Sequence, residues 1–397
     1  MEFLRIIWIS GVAALLLLAP VNSAKADPLF AHTQTFRGAP EREDGTGRSI
    51  ALTGRHILVA SPDEKGLGPR VTVRIYDAAS FAPVADIMSP DFPLPTGDFG
   101  SVTEMTEKFA LICDEGHSSS QPSENIALLH DVKTGERLRR FNDPSGVAGS
   151  RFGSDCALSD RHALIAAPGY DAVKERAGAA YLFDVETGEL LQKFHSPAPQ
   201  KGGAFGAQVV LSDRYAAIVQ RFRTPEIGGP GAVYIYDLES GHLARTFEKH
   251  EDDRGYVGAL ALQGDQILIG HTYGRVDGRR SGRIDIFDIK TRKHVRRILP
   301  PGIPTNVAFG ANVVWSGDRV LVGINEFRVG AEAYEGVAML FDATTGEHLQ
   351  TLARPPGEDV GIFPTRIAMA GDRILLSGLD DEMFVGGDAY LYERRSK

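Results

Sequence analysis

Two markers recurring at a period near 53 residues, with short apolar runs between them, predict an all-β fold: a seven-bladed β-propeller of four-stranded blades. The first marker is an aromatic-glycine pair, found as Phe99-Gly100, Phe152-Gly153, Phe205-Gly206 and Phe309-Gly310, with Val257-Gly258 and Phe363-Pro364 in the two remaining slots. Successive spacings are 53, 53, 52, 52 and 54 residues, and the same step back from Phe99 reaches Thr46-Gly47. The second marker is an apolar and aromatic pair followed by an acid: Ile75-Tyr76-Asp77, Leu129-His130-Asp131, Leu182-Phe183-Asp184, Ile235-Tyr236-Asp237, Ile286-Phe287-Asp288, Leu340-Phe341-Asp342 and Leu391-Tyr392-Glu393. Two independent markers in one register make seven copies.

Residues 1–26 stand outside the repeat. Arg5 precedes an apolar run from Ile6 to Pro20, and Ala24-Lys25-Ala26 supplies a small-residue cleavage site, the layout of a secretory signal peptide. An uncleaved anchor is the alternative, but an apolar run of about 15 residues is short of the roughly 20 a span needs. The expected mature chain begins near Asp27 and is exported, periplasmic or secreted, without stable membrane insertion after the signal is removed.

Residues 27–397 read as one propeller domain, with copies starting near 46, 99, 152, 205, 257, 309 and 363. The third copy shows the blade plan. A first strand (Cys156 to Leu158) turns at Ser159-Asp160-Arg161 into a second (Ala163 to Ala166) that ends at Ala167-Pro168; a third (Ala179 to Phe183) leads through Asp184-Val185-Glu186-Thr187-Gly188 to a fourth (Glu189 to Phe194). Apolar, β-branched and aromatic residues bounded by Gly, Asp and Pro suit strands and are too few for helices. The seventh copy stops after its third strand. Residues 32–36, "HTQTF", resemble fourth strands such as "LLQKF", so the N-terminal strand is expected to complete the last blade and close the ring.

The set Phe152, Gly153, Ala167, Pro168, Gly178, Tyr181 and Phe183 resembles the FG-GAP repeat of integrin-α-like propellers, and the resemblance spans Thr46 to Lys397. Other copies have lost parts of it: Ser61-Pro62 keeps the proline, whereas Gly270-His271 and Gly323-Ile324 do not. The stretch "YLFDVETGELLQKF" is also similar to quinoprotein-type blades. Those stack on a repeated tryptophan, and here the only tryptophans are Trp8 and Trp315. The FG-GAP resemblance implies calcium loops of the form Asp-x-Asp-x-Asp-Gly, but no loop has that spacing. Asp380-Asp381-Glu382 with Asp388 reads as a solvated acidic loop, so neither metal ligands nor a cofactor are expected.

The formal net charge of −9 argues against nucleic-acid partners. The two cysteines, Cys113 and Cys156, read as small core residues, with a bridge between neighbouring blades left open.

Long irregular loops between second and third strands share one face with the blade linkers, and there a binding site is expected. The basic and aromatic residues of copies four to six, Arg221, Arg223, His271, Tyr273, Arg275 and Arg328, are the first candidates, because Arg forks onto oxyanions and Tyr stacks on sugars or apolar anchors. A second set lines the channel: aligning first strands puts Ser49, Val102, Asp155, Gln208, Leu260, Asn312 and Arg366 in one column, whose polar members Asp155, Gln208, Asn312 and Arg366 face a ligand or ordered water. No Gly-x-Ser-x-Gly, His-Glu-x-x-His or Asp-box motif is present. A binding or scaffold module for a protein or glycan is therefore the leading expectation, with a polysaccharide lyase or hydrolase acting at the channel mouth as the alternative.

Overall fold

In the computed structural model of the chain the described residues are 28–37, 46–61, 71–88, 100–114, 125–147, 149–170, 177–221, 231–248, 256–272, 274–301, 308–325, 327–329, 332–334, 336–357, 362–379 and 387–395. The signal segment 1–26 lies outside them. Seven four-stranded antiparallel sheets form a β-propeller. Their first strands, Ser49–Leu52, Val102–Met105, Cys156–Leu158, Phe205–Leu211, Tyr256–Gln263, Asn312–Ser316 and Ile362–Ala370, each touch the next, and the last touches the first. The seventh blade is made from both ends of the chain: Phe30–Arg37 pairs antiparallel with Gly387–Arg394, from Phe30 opposite Arg394 to Arg37 opposite Asp388. The N-terminal strand therefore closes the ring.

Three recurring devices explain why this sequence makes blades. The acid of the second marker caps the turn between third and fourth strands. Asp184 Oδ1 accepts the Thr187 N–H at 2.7 Å, and Asp77, Asp131, Asp237, Asp288 and Asp342 each accept the N–H three residues on in the same way. The residue after that is left-handed, which suits Gly135, Gly188, Gly241 and Gly346; blades one and five hold Phe81 (φ 58°) and Arg292 (φ 63°) there instead.

Second, the aromatic ending a fourth strand packs on the aromatic of the next blade's turn. Phe141 meets Phe183 with ring centroids 4.9 Å apart, Phe194 meets Tyr236 at 4.5 Å, Phe247 meets Phe287 at 4.9 Å, and Phe36 of the N-terminal strand meets Tyr76 at 4.7 Å. Third, a polar side chain near the middle of the fourth strand reaches into the next blade. Arg139 donates to Glu186 O, Gln192 to Gly241 O, and Arg245 to Ile289 O. Gln350 accepts the Phe30 N–H and donates to Phe30 O, both at 2.8 Å, so the sixth blade grips the N-terminal strand by its backbone.

The aromatic-glycine pair works at the blade junction. Phe152, Phe205 and Phe309 are fully buried between blades. Gly206 has φ 90°, and a Cβ there would lie 2.5 Å from Ala179 O, so both conformation and space demand glycine. The open question about the cysteines resolves as a disulfide between Cys113, ending the second strand of blade two, and Cys156, opening the first strand of blade three, with Cα atoms 6.8 Å apart. One expected column position is corrected. Leu262 lies opposite Ile267 as Leu211 lies opposite Ala216, so Ala259 occupies the slot of Gln208, and Leu260 is buried toward blade four in the slot of Val209.

Candidate functional site

Among the described residues, the loop face carries secondary structure on blades five and six. After the second strand of blade five (Gln266–Thr272), Arg275–Val276 and Arg279–Arg280 form a small ribbon. Its two-residue turn, Asp277-Gly278, has φ 49° and 78°, the double left-handed geometry that Asp-Gly favours. In blade six Phe327–Val329 pairs with Glu332–Tyr334 in the same connection. Strand order places both ribbons on the same face of adjacent blades.

Arg275 is exposed at the start of the first ribbon, and Arg328 lies in the second, its side chain beyond what is described. Arg223 and Tyr273 lie outside the described residues. Arg221 is half-buried, and its Nη2 donates to Val257 O at 2.7 Å, tying blade four to blade five. His271 does not face outward: its side chain is 17% exposed, with Nε2 3.5 Å from Asp285 Oδ2. Loop residues expected to form one surface thus divide into a ribbon group and groups bound into the blade junction.

His271 leads to a cluster that reading the sequence missed. Asp285, on the third strand of blade five (Arg283–Asp288), is 2% exposed and takes contacts from four basic side chains. Arg297 Nε and His294 Nε2 reach Oδ1 at 2.7 and 2.8 Å, while Arg283 Nε and His271 Nε2 lie 2.9 and 3.5 Å from Oδ2. Burial pushes the Asp285 carboxyl up, but the hydrogen bonds from Arg297, Arg283 and His294 outweigh it and hold the group below the usual carboxylate range. The available signal was an acid at a position where other copies have Arg74, Leu128, Tyr181, Tyr234, Met339 and Tyr390.

The channel column turns out to be partly structural. Asp155 Oδ2 accepts the Val209 N–H at 2.8 Å across the junction of blades three and four. Ser49 Oγ makes the equivalent link to Thr103 at 3.2 Å, and Asn312 Nδ2 reaches Thr365 O at 3.4 Å. Gln208 Oε1 is buried without a hydrogen-bond partner among the described residues. Arg366 is exposed to the channel and donates to its own neighbour, Thr365 O, at 3.3 Å. Two residues inward from the column, Glu104 adds a carboxylate that the alignment overlooked. Confinement in the channel and the charge of Asp155 push its carboxyl up, although water reaches this side chain and moderates the push. Confinement likewise raises the Asp155 carboxyl, against the Val209 and Cys156 amides and the charges of Arg366 and Arg221. Among the described residues no group of three or more His, Cys, Asp or Glu is placed to hold a metal ion, and no helix is long and apolar enough to cross a membrane.

No family model matches the sequence, and no curated protein matches it either. Among solved structures the chain is similar to the WD40 domain of Neurospora crassa Pan2, with a TM-score of 0.55 at 10% identity, covering 93% of this chain and 96% of that one. A likeness at that identity is one of fold alone: both are β-propellers along nearly their whole lengths.

Proposed function

We propose that this chain is an exported binding or scaffold module of FG-GAP type that grips a protein or glycan through the long-loop face of blades four to six. The observation that carries the reading is the pair of ribbons raised side by side on blades five and six, on a ring whose fold is compatible with a binding role. A rigid ring holds such projections in fixed relation, which lowers the ordering cost of capture. The signal-like segment 1–26 supports export, and the Cys113–Cys156 bridge suits an oxidising compartment. The test is capture from envelope extract and culture fluid by protein beginning at Asp27, beside a variant with Arg223, Tyr273 and Arg275 changed to alanine. A partner held by the first and lost by the second supports the reading; equal capture by both removes the loop face from it.

A second reading places a polysaccharide lyase or hydrolase site at the channel mouth. Its specific support is Glu104, whose carboxyl is pushed toward the protonated form beside Asp155, as a general acid requires. Turnover abolished by Glu104→Gln, with folding intact, would favour it over the binding module.

A further inference from the structure

The fifth copy is the exception to this protein's charge. Residues 257–308 contain nine Lys and Arg against four Asp and Glu, a formal +5, whereas the whole chain carries −9 and the remainder therefore −14. The next copy, residues 309–362, has three Lys and Arg against eight Asp and Glu. A solvated face of mixed sign would explain scattered cations, but not nine of them in one blade of an acidic ring.

The structure shows how two of these cations, Arg283 and Arg297, are held together. Asp285 is one carboxylate shared by Arg283 and Arg297, with His294 and His271 alongside, so the cluster keeps an excess of positive charge after its internal pairing. Arg297 and His294 are half-exposed on the outer strand His294–Ile298, next to the exposed Arg292 and Lys293. Arg283 Nη1 reaches Arg275 O at 3.3 Å, which joins the cluster to the ribbon. A basic band therefore runs up the outer strand of blade five, from the turn holding Arg292 and Lys293 on the face opposite the loops to the loop-face ribbon.

We infer that blade five is the binding surface for a single-chain acidic polysaccharide, held by its carboxylate or sulfate groups along this band; the inference rests on the loop-face reading above and gives its ligand class. Guanidinium forks match planar oxyanions. The band is one blade wide and borders the strongly acidic sixth copy, so a duplex or a flat anionic membrane would bring its other charges against repelling neighbours. A flexible single chain meets only the band. Long cationic side chains on an outer strand also oppose pairing with another strand, which disfavours an acidic peptide added at this edge.

The experiment measures binding of size-defined uronic-acid and sulfated oligosaccharides to the Asp27-onward protein, with a neutral oligosaccharide of equal length, poly-glutamate, single-stranded DNA and anionic vesicles as comparisons. We expect the acidic oligosaccharides alone to bind, more weakly as salt shortens the screening length. Arg275→Glu/Arg279→Glu/Lys293→Glu is expected to lose about tenfold or more in affinity, while Arg55→Glu/Lys133→Glu/Arg161→Glu in the short turns of blades one to three, away from the blade-five band, binds normally, both at wild-type melting temperature. If the first triple does not fold, Arg275→Ala/Lys293→Ala replaces it, with a smaller loss in the same direction. Equal affinity of both triples, binding of the neutral chain, or binding of poly-glutamate, DNA or vesicles in place of the glycans overturns the inference. A partner captured from extract despite the blade-five reversal overturns the inference while leaving the loop-face reading standing; no capture of any partner together with no glycan binding overturns both.

Discussion

Asp285 shows what a single residue decides in this molecule. Replacing it with Asn leaves Arg283 and Arg297 partly buried without their counter-charge, which is expected to cost about 3 kcal/mol. Because the Asp285 carboxyl is held below its ordinary value, the stabilisation is present in full above the unfolded value of about 3.9 and is lost as pH falls through the lower folded value. Urea unfolding should therefore show a gap between wild type and Asp285→Asn at pH 7 that narrows below about pH 4. The turn acids Asp77, Asp184, Asp237 and Asp342 are lowered chiefly by backbone N–H groups, and Asp288 by the Thr291 hydroxyl and then its N–H; all act in the same direction. Arg292 offers the opposite test. It adopts φ 63° where other blades have glycine, so Arg292→Gly should raise stability by about 0.5–1 kcal/mol in the same measurement. These roles differ in how readable they were. The capping acids repeat with the period and stood out in the sequence, whereas the link from Asp155 to Val209 spans 54 residues and depends on which way one side chain leans across a blade junction. Glu104 was missed because its neighbours in the same register are apolar or small, and only the packing of blade two against blade three sets it beside Asp155.

At the scale of elements, the ends of the chain and the junction of blades two and three carry the closure. Strand Phe30–Arg37 was legible because its pattern matches the outer strands, and because the last copy stops one strand short. Deleting residues 28–37 should expose the edge of Gly387–Arg394 and give a protein that self-associates, seen as a loss of the monomer peak in size-exclusion chromatography. Gln350→Leu removes both bonds to Phe30 and should cost about 1–3 kcal/mol without that association. The Cys113–Cys156 bridge closes a separation of 43 residues, for which chain entropy predicts about 4 kcal/mol; the Cys113→Ala/Cys156→Ala protein should melt lower while keeping the same β spectrum. Sequence spacing left that bridge open, since only ring geometry brings the end of one blade's second strand to the start of the next blade's first. The ribbons of blades five and six were read only as long loops. The Asp277-Gly278 signal for the first was present, but strands of two residues fall below what periodicity can detect.

The whole molecule is a closed ring of seven blades with ribbons on one face of blades five and six and a channel lined by groups partly occupied in joining blades. The seven-fold period determined the ring, and the departures from that period, at the fifth copy's charge and at two ribbons, carry the binding face proposed above. The most direct test of that division is hydrogen–deuterium exchange of the Asp27-onward protein with and without the captured partner. The account predicts slowed exchange in residues 215–221, 266–283 and 319–334, with the first strands Val102–Met105, Cys156–Leu158 and Ile362–Ala370 unchanged. Protection confined to those three channel strands, with the ribbons exchanging as before, would contradict it.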